Sequence, residues 1–188
     1  YTGWYTLSLH DALPICVVPL HHLNAKGACT CCRTDCPTPG KHPRIIDWPA
    51  QATSDLERIR AWWSRWPDAN VGIALGDGLV DIETEAYGDG ADNLARLESI
   101  HGQLPDTVSW TSGGGGCHRL FRTDRPIRNA VSIGQADLRL ERTSIDVRGV
   151  GGLAVLPPSN HASGSTYRWG NLAPDVMEVE ALPAAWAE

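Results

Sequence analysis

Between Val71 and Glu83 the chain reads Val-Gly-Ile-Ala-Leu, then Gly76-Asp77-Gly78, then Leu-Val-Asp-Ile-Glu. Two short β-forming runs joined by an Asp-Gly turn predict a hairpin, because glycine takes the positive φ such turns need without steric cost. Side chains alternate across a strand, so Leu79, Asp81 and Glu83 share one face while Val80 and Ile82 share the other. The two acids therefore point the same way, with Cα atoms roughly 6.5 to 7 Å apart, close enough to hold a divalent cation or a pair of them. An Asp-x-Glu pair alone is equally a solvated strand edge. Residues elsewhere in the chain have to decide between the two.

A third carboxylate comes from Ser144 to Arg148, an alternating strand in which Asp146 and Arg148 face away from Ile145 and Val147. Thr107 to Thr111 and Cys117 to Phe121 read as partner strands joined by Ser112 to Gly116. Four consecutive glycines leave backbone N–H groups uncovered, so this loop could approach a phosphate through Gly115 and Gly116, with His118 beside it. A flexible turn and a structural histidine are the plainer readings of the same residues.

The loop after Pro19-Leu20-His21 holds Cys29, Cys31, Cys32 and Cys36, followed by Gly40-Lys41-His42-Pro43. No secretory signal precedes it, so this density of thiols reads as metal ligation rather than disulfides. Cys29, Cys31, Cys36 and His42 would supply the four ligands of a structural zinc site, with Cys32 as a substitute. The spacing is not that of a common zinc finger, and a loop of unligated thiols is the alternative.

Helical stretches punctuate these strands. Ser54 and Glu57 form a capping box ahead of Leu56, Ile59, Trp63 and Trp66, the expected buried stripe of one helix that Pro67 ends. Leu94, Leu97 and Ile100 mark another that stops near Gly102, giving a crossover of the βαβ kind. At 188 residues with 42% hydrophobic content, the chain is expected to form one α/β (α+β) domain. The formal charge of -6 does not advertise a nucleic-acid binder, although a local basic face could still steer a polyanion. No apolar run is long enough to span a bilayer, so a membrane is excluded as a partner and the cytoplasm is the expected location.

Residues 1 to 15 fall outside this scheme. Thr6 to Ile15 match, position for position, the translation of a common sequencing adaptor, and the segment is set aside as an adaptor-derived scar. The expected domain is therefore 16 to 170, with 171 to 188 as a tail or linker.

Taken in order, Pro-Leu-His at 19–21, Gly-Lys-His-Pro at 40–43, Trp-Pro-Asp-Ala-Asn-Val-Gly-Ile-Ala at 66–74, Asp-Ile-Glu at 81–83, Gly-Gly-Cys-His at 115–118, Ile-Asp-Val-Arg-Gly at 145–149 and Pro-Pro-Ser-Asn-His at 157–161 form a specific series. It resembles the N-terminal domain of bifunctional DNA primase-polymerases, the prim-pol branch of the archaeo-eukaryotic primase superfamily. That resemblance implies a mixed sheet like that of an RNA-recognition motif (RRM), carrying the site and packed beside an N-terminal α/β unit with the Cys-rich loop. It implies template-dependent nucleotidyl transfer in the replication of a plasmid, phage or mobile element. Asp81, Glu83 and Asp146 match the acids that hold magnesium or manganese, and His118 matches the nucleotide-phosphate histidine. Lys41, Ser159 and His161 look like further nucleotide or phosphate contacts. The implied partners are a single-stranded DNA template, nucleoside triphosphates, and a helicase domain or protein. After the acids, Thr84-Glu85-Ala86-Tyr87 is more polar than the family's usual glycine-rich turn.

The carboxylate set suits nucleotidyl transfer on chemical grounds, because charge develops on both the attacking oxygen and the leaving pyrophosphate, and two ions stabilise both ends. A metal-dependent nuclease or phosphohydrolase would use the same acids to activate water. A catalytically silent nucleic-acid-binding module of the same fold is the remaining alternative.

Overall fold

Three strands, β1 (Val17–Leu20), β2 (Asn70–Ala74) and β7 (Leu153–Leu156), form one antiparallel sheet with β2 at its centre. The second sheet has the order β6-β3-β5-β4-β8, from β3 (Leu79–Thr84), β4 (Ser109–Thr111), β5 (Cys117–Arg122), β6 (Ile145–Arg148) and β8 (Arg168–Trp169), each neighbouring pair antiparallel. The computed structural model describes residues 15–171, 173–174 and 178–187. The expectation for the adaptor-like segment lies almost wholly outside the described residues.

Strands β3 and β4 both run antiparallel to β5, so they are parallel to each other across it. The connection between them is helix α3 (Gly90–His101), numbered after the shorter α1 (Trp48–Gln51) and α2 (Leu56–Arg65). With α4 (Gln135–Leu138) between β5 and β6, the run β3-α3-β4-β5-α4-β6 is the split βαβ arrangement of RRM-like sheets. The fold class expected from the sequence is the one observed.

The hairpin is a different matter. Gly76, Asp77 and Gly78 all take positive φ, as the turn chemistry demands, but β2 and β3 belong to different sheets. Both edges of β2 are occupied by β1 and β7, so the outgoing strand has no edge to pair with and crosses to the second sheet.

Alternation then divides the second sheet into two unlike faces. Val80, Ile82, Phe121, Ile145 and Val147 pack under Leu94 and Leu97 of α3 and Leu138 of α4. Burial of a leucine such as Leu97, only 1% exposed, contributes about 1.5–3 kcal/mol, which fixes α3 against this face. On the opposite face Leu79, Leu120 and Trp110 join Val18, Leu20, Ile73 and Val155 in a core between the sheets. The acids lie on that same inter-sheet face, Asp81 wholly buried in register with Leu120 and Glu83 and Asp146 half-buried.

Two helix details differ from expectation. The cap of α2 is Asp55, whose side chain accepts from Glu57 N at 2.8 Å, one residue beyond the predicted Ser54. Its apolar stripe is only half-buried: Leu56 is exposed, and Trp66 lies under the guanidinium groups of Arg44 and Arg65 rather than in the core. Ile100 of α3 is likewise exposed. The expected tail docks on the domain, since Glu180 O accepts from Arg122 N, Leu182 N donates to Arg122 O, and Leu182 and Trp186 pack against the helix-side core.

Candidate active site and metal-binding loop

Strand register brings the acids together. Glu83 is the Cα partner of both His118 on β5 and Asp146 on β6, while Asp81 is opposite Arg148. Direct partners project to the same side of an antiparallel sheet, so five charged or titratable side chains gather on one face.

Their contacts are specific. Asp81 is fully buried and its Oδ2 lies 2.8 Å from His118 Nδ1. His118 is 4% exposed, and its ring stacks on Trp110 with centroids 4.9 Å apart and planes within 5°. Its Nε2 faces Glu83 Oε1 at 3.6 Å. Arg148 donates to Glu83 Oε2 from Nε at 3.0 Å and from Nη2 at 2.8 Å, and the same Nη2 lies 3.6 Å from Asp146 Oδ2. Asp146 Oδ1 accepts from Ser132 N at 3.0 Å. Each carboxylate thus has one oxygen anchored by a protein donor.

The electrostatics follow from this packing. Burial pulls the His118 pKa down, but Asp81 and then Glu83 outweigh it, and the net shift is upward, toward the imidazolium. Burial raises that of Glu83, yet His118 and Arg148 together hold it below the usual carboxylate range. Burial, reinforced by Glu83, raises the Tyr167 phenol, whose ring lies 6.4 Å from that of His118.

Asp81 Oδ1 and His118 Nε2 are buried without a hydrogen-bond partner among the described residues. An ionised carboxylate oxygen buried in that way is costly unless a cation meets it, so the donor set fits a hard divalent ion. The acids are not closed around one point. Among the described residues, the group whose ligand atoms all lie within 4.8 Å of one another is the thiol cluster instead. Arg148 and His118 interleave the acids.

The expected nucleotide contacts divide. Gly113 and Gly114 pack on His161, where a Cβ at Gly113 would run into the His161 side chain. Burial and then the charge of Lys41 lower the His161 pKa, and Lys41 also contributes to holding that of Glu83 down. Gly115 and Gly116 differ from expectation: their N–H groups already donate to Ser112 O and Ser112 Oγ, closing the turn on itself. Ser159 is 3% exposed and its hydroxyl accepts from Val71 N, which makes it a brace between the 157–161 corner and β2. A cavity of about 390 Å³ opens beside Asp146, lined by Glu85, Ser132, Gln135, Arg142 and Ser144, within the range of small-molecule sites.

In the Cys-rich loop, Cys29, Cys31, Cys36 and His42 converge as predicted. Tetrahedral Zn–S bonds of about 2.3 Å place ligands roughly 3.8 Å apart, within the observed spacing. A backbone hydrogen bond at Arg33 lowers the Cys31 pKa to about 7, favouring a ligand-ready thiolate. Cys32 stands outside the cluster, exposed, with its thiol toward Thr30 O at 3.7 Å. The loop's base is clasped by two asparagines. Asn70 Nδ2 donates to Gly40 O and Asn160 O, while the Asn160 amide pairs with both backbone groups of Leu23.

Arg148, Trp110 and Tyr167 were not among the site residues expected from sequence. Alternation had placed Arg148 beside Asp146, and that was the available signal. Nothing in the sequence distinguishes Trp110 from an ordinary core aromatic.

Among the described residues, no helix is long and apolar enough to cross a membrane. A family model described as bifunctional DNA primase/polymerase, N-terminal (Prim-Pol), matches residues 7–185. The match includes the docked C-terminal segment and begins inside the adaptor-like stretch. No curated protein matches the chain.

Proposed function

Since the chain belongs to the bifunctional DNA primase/polymerase N-terminal family, we propose that it extends or initiates DNA strands by template-dependent nucleotidyl transfer on the face formed by β3, β5 and β6. The observation that carries this reading is the buried Asp81–His118 pair set beside Glu83 and Asp146, with an Asp81 oxygen left for a cation.

Asp81, Glu83 and Asp146 would hold magnesium or manganese. When bound, such ions supply Lewis-acid stabilisation of the attacking 3′-oxygen and the leaving pyrophosphate. Asp81 fixes the orientation of His118 by accepting from Nδ1, and Nε2, buried 3.6 Å from Glu83 Oε1, is the ring nitrogen left to meet a phosphate. Trp110 holds the ring plane. Lys41, whose charge acts on both Glu83 and His161, and His161, which packs on Gly113 and Gly114, would supply further donors to the triphosphate. Template and nucleoside triphosphates are the substrates, in replication of a plasmid, phage or mobile element within the cytoplasm, with a helicase domain or protein as the cooperating partner. The Cys29, Cys31, Cys36 and His42 cluster holds a structural zinc, separating a soft site from the hard one.

The test is incorporation of labelled nucleotides on a single-stranded template with magnesium or manganese. Asp81→Ala should abolish incorporation, and activity should require a nucleoside triphosphate, which a nuclease does not. Near-full, template-dependent incorporation by Asp81→Ala would make the mechanism wrong.

A further inference from the structure

We propose that Arg148 is a built-in counter-ion that competes with the divalent metal for Glu83 and Asp146, so that metal loading in the absence of nucleotide is held back by the protein itself. The inference rests on the metal-binding role given above to the three acids.

One nitrogen carries the argument. Arg148 Nη2 is 2.8 Å from Glu83 Oε2 and 3.6 Å from Asp146 Oδ2, so a single positive group bridges two carboxylates, as a shared cation would. The oxygens it takes are those that other donors leave over, since Asp146 Oδ1 is held by Ser132 N and Glu83 Oε1 faces His118. Asp81 is the acid outside its direct grip. A guanidinium and a hard divalent ion placed between the same two carboxylates repel each other and draw on the same electron pairs. Metal therefore gains Glu83 and Asp146 only as Arg148 yields them.

The side chain is 39% exposed, so it has solvent on one side into which to turn. A triphosphate offers the planar guanidinium an anionic, doubly accepting partner that solvent does not, which makes nucleotide the natural trigger for the exchange. Because coupling between two ligands is reciprocal, nucleotide should tighten metal binding and metal should tighten nucleotide binding through this one residue. The device suits an enzyme whose metals are useful only with nucleotide present.

The experiment uses the zinc-replete chain without nucleotide, titrated with manganese while free ion is counted by electron paramagnetic resonance. Arg148→Gln keeps a polar side chain but removes the charge, and should bind manganese about tenfold more tightly, as expected for losing a positive charge beside the ion. Arg148→Lys keeps the charge and should stay near the unsubstituted protein, which separates charge from shape. Thermal melts establish that both variants are folded, and Arg148→Met repeats the test should the glutamine variant fail to fold. Unchanged or weaker manganese binding in the charge-removing variant overturns the inference. A parallel Asp81→Asn arm distinguishes the two failures. If it weakens manganese binding while Arg148→Gln leaves binding unchanged, only the role of Arg148 falls; if Asp81→Asn has no effect, the acid site and the inference fall together.

Discussion

Replacing His118 with alanine should damage the fold as well as the chemistry. Asp81 is fully buried, its Oδ2 is met by His118 Nδ1 at 2.8 Å, and its Oδ1 has no hydrogen-bond partner among the described residues. Truncation would leave a buried carboxylate with that contact gone and with the Trp110 ring facing a void where the imidazole stacked. Removing one member of a buried ion pair costs about 3–5 kcal/mol, whereas an ordinary surface histidine would cost within about 0.5 kcal/mol. For a domain of this size each kcal/mol moves Tm by about 2–4 °C, so His118→Ala should melt about 6–20 °C lower. The assay is calorimetry on zinc-replete protein dialysed against buffer free of other divalent ions, then repeated with manganese. The deficit should shrink with manganese, because a cation can satisfy the carboxylate oxygen that histidine releases. A shift of less than about 2 °C in metal-free buffer would refute the view of Asp81 and His118 as a buried pair.

Two further outcomes follow from the same geometry. In protein free of catalytic metal, the His118 ring should titrate above 6.5, since Asp81 and Glu83 more than offset burial. A raised folded-state pKa means that this stabilisation is complete below about 6.5 and is lost as the pH rises through the folded value. Imidazole NMR titration should show the midpoint falling in Asp81→Asn, and a midpoint below 6.5 in the unsubstituted chain would contradict the sign. In the Cys-rich loop, purified reduced protein should carry one equivalent of zinc that falls when Cys31 and Cys36 are both changed to serine. Unchanged zinc after the double substitution rules that ligand set out.

How much of this was legible beforehand depends on the range over which each signal acts. Alternation along Leu79 to Glu83 is local, and it assigned Asp81 and Glu83 to one face correctly, as it did Asp146 and Arg148. The ligand cluster of the Cys-rich loop was also local, because all five candidate ligands, the four that converge and Cys32, fall between residues 29 and 42. The hairpin misled because turn chemistry at Gly76 to Gly78 reports only that the chain reverses. Which edge receives β3 depends on β1 and β7 having filled both sides of β2, information that lies more than 50 residues away on each side. Gly115 and Gly116 misled for a related reason: four glycines suggest free N–H groups, but Ser112 claims two of them. The ion pair between Glu83 and Arg148 depended on the β3–β6 register, which no local pattern encodes.

The asparagine clasp has a consequence for how the protein is made. Leu23 is bound at both backbone groups by Asn160, 137 positions later in the chain. A ribosome adding about 5–20 residues per second needs about 7 to 27 seconds to cover that interval. During that time the Cys-rich loop has emerged while its anchoring residue does not yet exist, so its thiols wait in solution before the base of the loop can close. Early capture of zinc by the nascent loop would shorten this reactive period, and the long-range clasp would then lock a segment already shaped by its ion.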